Sequence, residues 1–127
     1  MKLSHVILHA VGIAEDPGKR AAATSPSGVE LQRSPHWGEV RIWHLVEHPT
    51  CEACGGRDHR EVHHRIPFHV RPELELDPNN LITLCEVGPG RMNCHLVLGH
   101  CGNWKLFNAT VDADAVHFAA MLAKARR

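Results

Sequence analysis

Five cysteines and twelve histidines hold most of the chemistry that this 127-residue chain could perform. Cys51 and Cys54 make a Cys-x-x-Cys knuckle in CEACGG, and Cys85 and Cys94 make a second, wider pair. Thiolates on tight turns can meet tetrahedrally about zinc, and one knuckle supplies two of them. Four such ligands leave no open position, so the site would contribute folding free energy, about 10 kcal/mol, and no catalysis. Eight residues separate Cys85 from Cys94, but the insertion EVGPGRMN is rich in turn formers and can bulge without moving its ends. Cys101 is the substitute ligand, placed second because of its distance from the strand end. A Cys2His2 finger fits poorly, since only eight residues lie between Cys54 and His63 where that finger wants about twelve. It would also leave Cys85 and Cys94 unused.

Between the cysteine pairs, EVHHRIPF sets His63 beside His64. Neighbours on a strand point to opposite faces, so both serve one site only where the strand ends and twists. One imidazole could then bind a metal while the other accepts a proton from water. His95 follows Cys94, and His100 lies five residues further on. Neutral imidazoles suit a divalent cation and leave positions open for a phosphate oxygen and water.

These residues need elements to carry them. In SPHWGEVRIWHLVEH, Ser34 can cap a helix, Pro35 suits its first turn, and Pro49 ends the run. Trp37, Val40 and Trp43 are expected to face the core of that helix. EVHHRIPF reads as a short strand stopped by Pro67, LITLC as a second strand, and CHLVLGHCGNW as a short helix broken by Gly99 and Gly102. Asp112 can cap a last helix, with Val111, Ala115, Phe118, Leu122 and Ala125 along one face. Residues 1–33 read as an arm, flexible and linker-like in EDPGKRAAATSPSG.

Bulk composition narrows the classes. Fourteen basic residues balance fourteen acidic ones, so no broad electrostatic grip on nucleic acid is written into the net charge. No apolar run approaches the length of about 18 residues that spans a membrane. The start, MKLSHVILHAVGIAEDPG, faintly suggests a signal peptide, but histidines interrupt its apolar stretch. A cytoplasmic location is expected, where a Cys-x-x-Cys chain binds metal rather than forming disulfides. Aromatic residues are sparse, and so lean a core often needs a metal staple.

Taken in order, C-x2-C-G, E-V-H-H-R-I-P-F, L-D-P-N-N-L-I-T-L-C and N-C-H resemble the HNH endonuclease family, the ββα-metal nucleases. The resemblance spans roughly residues 34–111, and SPHW and GHCGNWKLFN also look like stretches of its small bacterial and phage members. It implies an α+β fold, a small zinc-stapled domain over 34–127 with a ββα-metal core near 61–101 flanked by helices. His64 matches the family's general base, and His63 the preceding position, which binds the catalytic metal. Asn80 matches the middle asparagine, which ties the loop between the strands and steadies the base; Asn79 could exchange roles with it. His95 matches the final metal-binding histidine. His100 resembles an extra ligand of some members, at a spacing of five rather than four.

The resemblance further implies metal-dependent hydrolysis of DNA phosphodiesters in a bacterial or phage-infected cell. It calls for a structural Zn2+ on Cys51, Cys54, Cys85 and Cys94 and a catalytic Mg2+, Mn2+, Ni2+ or Zn2+. Arg57, Arg60, Arg65, Arg71 and Arg91 are the candidate DNA contacts, with Lys105 and the 124–127 tail further out. No small-molecule cofactor or membrane is expected, and the chain would act as a monomer or homodimer. An inactive, zinc-stabilised HNH-fold module that binds nucleic acid is the alternative; a purely structural zinc ribbon is a third reading. The joint presence of His63, His64, Asn80 and His95 argues against both.

Overall fold

The computed structural model describes residues 23–24, 30–86 and 92–126; Arg91 and most of the expected arm lie outside the described residues. Within the arm, β1 (Ala23–Thr24) and β2 (Glu30–Leu31) pair antiparallel, with Ala23 opposite Leu31.

Helix α1 covers Trp37–Glu47 and begins two residues later than the Ser34 cap implies. Ser34 works ahead of the helix instead: its Oγ accepts the His36 N–H at 3.1 Å and its carbonyl accepts the Trp37 N–H at 3.2 Å. Ile42, His44 and Leu45 are buried, with Trp37 and Val40 packed at their side. Trp43, expected in the core, is 47% exposed. At 3.6 residues per turn it lies on the side of the helix away from Trp37 and Leu45. The stripe is real, but Trp43 is not on it.

The sheet that carries the histidines is a two-stranded antiparallel pair, β3 (Arg60–His64) and β4 (Leu81–Cys85). His63 lies opposite Ile82, His64 opposite Leu81, and Arg60 opposite Cys85. β3 stops at His64, three residues before Pro67, because the return rung is missing: the Asn80 N–H turns back to the Asp77 carbonyl at 2.9 Å. The Arg65 N–H goes to the Asn80 carbonyl at 2.8 Å, and the Ile66 N–H to the Asn80 side chain at 2.9 Å. Two single 3-10 turns, Pro72–Leu74 and Pro78–Asn80, fold the connection. Proline opens each, where its fixed φ helps and its missing N–H costs nothing.

The segment His95–Gly99 forms a π-helical turn rather than a short α-helix. Asn93 supports its start by accepting the Leu96 N–H at 2.9 Å, and the left-handed Cys101 and Gly102 end it at φ 53° and 80°. Helix α2 covers Val111–Ala125. Val111 and Ala115 are fully buried and Phe118 packs against them, whereas Ala125 at the frayed end is exposed. Asp112 does not cap α2; its carboxylate pairs with Arg65.

The fold is thus α+β, with apolar clusters on both sides of the small sheet. Ile82 and Leu84 join Val111, Ala115 and three of the cysteines on one side, while Leu81 and Val62 meet Ile42 and Leu45 on the other. β4, buried throughout, is the shared wall. Among the described residues, no helix is long and apolar enough to cross a membrane.

Candidate metal centres and active site

Cys51, Cys54, Cys85 and Cys94 converge, with their sulfurs all within 4.8 Å of one another. The first knuckle turns through Gly55 at φ 76°, a left-handed conformation that glycine adopts without a Cβ clash. Backbone N–H groups of Cys54 and Gly56 point at the Cys51 and Cys54 sulfurs, at 3.5 and 3.4 Å. Cys54 and Cys85 Sγ lie 3.6 Å apart, close to the edge of about 3.8 Å that four Zn–S bonds of about 2.3 Å would give. Cys101 is exposed and stands apart from the cluster.

The protonation of these thiols is uneven. A hydrogen bond from Cys94 pulls the Cys51 thiol down to about 4. Burial pushes Cys85 up, and the bond to Cys51 pushes Cys94 up. Four crowded thiols cannot all ionise unless a cation sits among them, so the donor set fits a tetrathiolate zinc site.

On β3 and the π-helical turn a second group gathers. His63, His95 and His100 bring their ring nitrogens within 4.8 Å of one another. His95 Nε2 lies 3.1 Å from His63 Nδ1 and 3.2 Å from His100 Nε2. Two nitrogens bound to one metal at about 2.0–2.1 Å would be separated by about 2.9–3.4 Å, so the trio fits a shared cation. An outer hydrogen bond orients one of the rings. His100 Nδ1 donates to the Leu106 carbonyl at 2.7 Å, which leaves its Nε2 lone pair facing the trio. His95 Nδ1 lies 3.8 Å from a Glu86 carboxylate oxygen. Burial, reinforced by His95 and His100, lowers the His63 pKa to about 2, so His63 is a neutral donor.

Gly99 permits this convergence. A Cβ there would sit 3.1 Å from His63 Cε1 and 3.2 Å from both His63 Nδ1 and a His95 ring carbon. Its sequence signal was that of a helix breaker; its structural role is close approach.

His64 takes the other face of the strand end. Its Nε2 lies 2.9 Å from the Glu75 carbonyl oxygen, which can only accept, so Nε2 carries the hydrogen and Nδ1 keeps the lone pair. Trp37 covers the ring at 4.4 Å between centroids. Burial brings the His64 pKa to about 4, against the opposing pull of the Glu75 carbonyl.

Asn80, 6% exposed, staples the intervening loop. Its Nδ2 donates to the Ile66 and Leu74 carbonyls at 3.1 and 3.2 Å, and its Oδ1 accepts the Ile66 N–H at 2.9 Å. Its neighbour Asn79 is exposed and offers its carbonyl to Arg65 at 2.8 Å.

The candidate DNA-contacting arginines divide. Arg57 is exposed at the knuckle. Arg60 donates to the Pro49 carbonyl at 2.6 Å, Arg65 binds Asp112 and Asn79, and Arg71 pairs with Glu73.

Three residues of the site escaped sequence reasoning. Asn108 joins the π-helical turn to α2, donating to the Leu98 carbonyl at 2.9 Å and to Asp114 at 2.7 Å while its Oδ1 accepts the Thr110 N–H at 3.0 Å. Its type, just before an apolar helix, was a readable capping signal. Arg33 and Glu75 meet across the chain at 3.2 Å, and nothing in the run PELELD marks Glu75 from its acidic neighbours.

Residues 51–101 match the model of the family described as HNH endonuclease. The matched window opens at the first knuckle cysteine and contains both clusters, His64 and Asn80. Searches of curated proteins and of solved structures found no match.

Proposed function

We propose, from the match of residues 51–101 to the family described as HNH endonuclease, that the chain is a metal-dependent DNA endonuclease whose catalytic unit spans 34–127. The observation that carries this reading is the pairing at the end of β3. Three imidazoles bring ring nitrogens within 4.8 Å of one another, and the adjacent His64 holds a lone pair on Nδ1.

His63, His95 and His100 would hold one divalent cation, which when bound supplies charge neutralisation at the phosphate and the leaving oxygen. His64 Nδ1 takes the proton of the attacking water, and Nε2–H stays on the Glu75 carbonyl throughout. That bond stabilises the imidazolium as it forms. Asn80 keeps the loop carbonyls in place around it. The four cysteines hold structural zinc and take no part in the chemistry. Among the described candidate arginines, Arg57 and Arg71 are exposed; Arg60, Arg65 and Arg71 would reach a phosphate only by sharing or leaving their present partners.

Supercoiled plasmid incubated with the protein and Mg2+, Mn2+, Ni2+ or Zn2+, beside the His64→Ala variant, tests the reading. Nicked or linear product from wild type and none from the variant supports it. Binding without cutting under every metal would instead identify a nucleic-acid-binding module.

A further inference from the structure

Glu75 is the one buried carboxylate among the described residues, at 3% exposure. Its Oε1 accepts the Ser34 backbone N–H at 2.8 Å and its Oε2 accepts the Arg33 guanidinium at 3.2 Å. Its own carbonyl oxygen is the partner of His64 Nε2, at 2.9 Å. The side chain of Glu75 is thus tied to the chain just ahead of α1, while its backbone is tied to the imidazole.

Arg33 is itself held on three sides. Besides Glu75, its guanidinium carbon lies 4.6 Å from the Phe68 ring centroid and 5.8 Å from that of Trp37. Trp37 in turn packs on His64 at 4.4 Å between centroids. An unpaired buried carboxylate is strongly disfavoured, so without these donors Glu75 would turn toward solvent and carry its peptide unit with it. A 3-10 turn of three residues, Pro72–Leu74, has little stiffness of its own to prevent that.

We propose that Arg33 and Glu75 are positioning residues for His64, clamping the Glu75 peptide so that its carbonyl holds the imidazole in the Nε2–H tautomer. The segment at residues 33–34 is then a working part of the site and not only a tether to the arm. The inference rests on His64 being the general base, but the clamp itself can be read without activity.

Full-length wild type, Glu75→Ala, Glu75→Gln and Arg33→Met are compared by two measurements. Nitrogen-15 spectra of the histidine rings, taken with zinc bound, report the His64 tautomer, and plasmid cleavage reports kcat and KM. Glu75→Ala is expected to lose the pure Nε2–H tautomer and about 10–100-fold in kcat, with KM and zinc content unchanged. Glu75→Gln still accepts the Ser34 N–H and should recover most of that loss. Arg33→Met should mix the tautomers and lower kcat about 10-fold. If Glu75→Ala folds with its zinc and keeps the wild-type tautomer and kcat, the clamp is wrong. Should that variant not fold, Arg33→Met decides, and unchanged tautomer and kcat in it overturn the proposal. If wild type cuts no DNA under any metal, the endonuclease reading fails, and the tautomer comparison alone still decides the clamp.

Discussion

His63 and His64 are neighbours in the chain with different surroundings. His63 turns to His95 and His100, and His64 turns to Glu75 and Trp37. His64→Ala should therefore remove the proposed proton transfer without disturbing the cluster of His63, His95 and His100. Cleavage should fall about 10²–10⁴-fold, with an unchanged circular dichroism spectrum and unchanged zinc content. A second test concerns Gly99. The methyl of Gly99→Ala would meet His63 and His95 at 3.1–3.2 Å, so one of these rings must move. Calorimetric titration of the zinc-loaded protein with Ni2+ should show affinity at the three-histidine site lowered about 10–100-fold. Equal affinities in the two proteins would place the metal elsewhere.

At the scale of elements, the connection from β3 to β4 is held more by side chains than by regular structure. Asn80→Ala would strip partners from the Ile66 N–H and from the Ile66 and Leu74 carbonyls. Each buried group left unpaired costs about 1–3 kcal/mol, so the denaturation midpoint should drop along with activity. A variant as stable as wild type would show that the loop is held by something else. Helix α1 carries a pH dependence of its own. Burial, and then the charge of His48, lowers the His44 pKa from 6.5 to about 4. The unfolded chain takes up this proton near 6.5, whereas the folded chain resists until about 4. The contribution of His44 to stability is therefore full above pH 6.5 and is lost as pH falls toward 4. His44→Leu should flatten that part of the melting-temperature curve against pH; parallel curves would remove His44 from the account.

For the whole molecule, the cysteine cluster joins parts that otherwise share little core. The knuckle after α1, the end of β4 and the entry to the π-helical turn all meet there, beside Val111 and Ala115 of α2. Cys51→Ser should unfold the domain rather than slow it, because a structural zinc site contributes about 10 kcal/mol. Thermal melts with and without a strong chelator should show the same loss, together with release of one zinc per chain. A cooperative melt surviving complete zinc removal would assign the fold to its apolar clusters alone.

The ligand types, their spacing and the order strand, strand, helix were legible in the residues themselves. Cysteine knuckles, prolines and apolar alternation act over a few positions, and local chemistry is enough to read them. The four cysteines accordingly meet where their spacing implied, and LITLC is β4 residue for residue. Local reading failed where a distant partner decides. β3 ends at His64 because Asn80, far along the chain, turns its N–H back to the Asp77 carbonyl. Asp112 leaves its expected capping role because Arg65 offers it a charged partner, and Trp43 faces solvent because the sheet packs on the other side of α1. The burial of Glu75 is the extreme case. Three acidic residues of PELELD have the same chemistry and nearly the same neighbours in sequence, yet only one has Arg33 and the Ser34 amide waiting across the fold. Which carboxylate is buried depends on contacts between segments some forty residues apart, and only the tertiary structure brings those segments together.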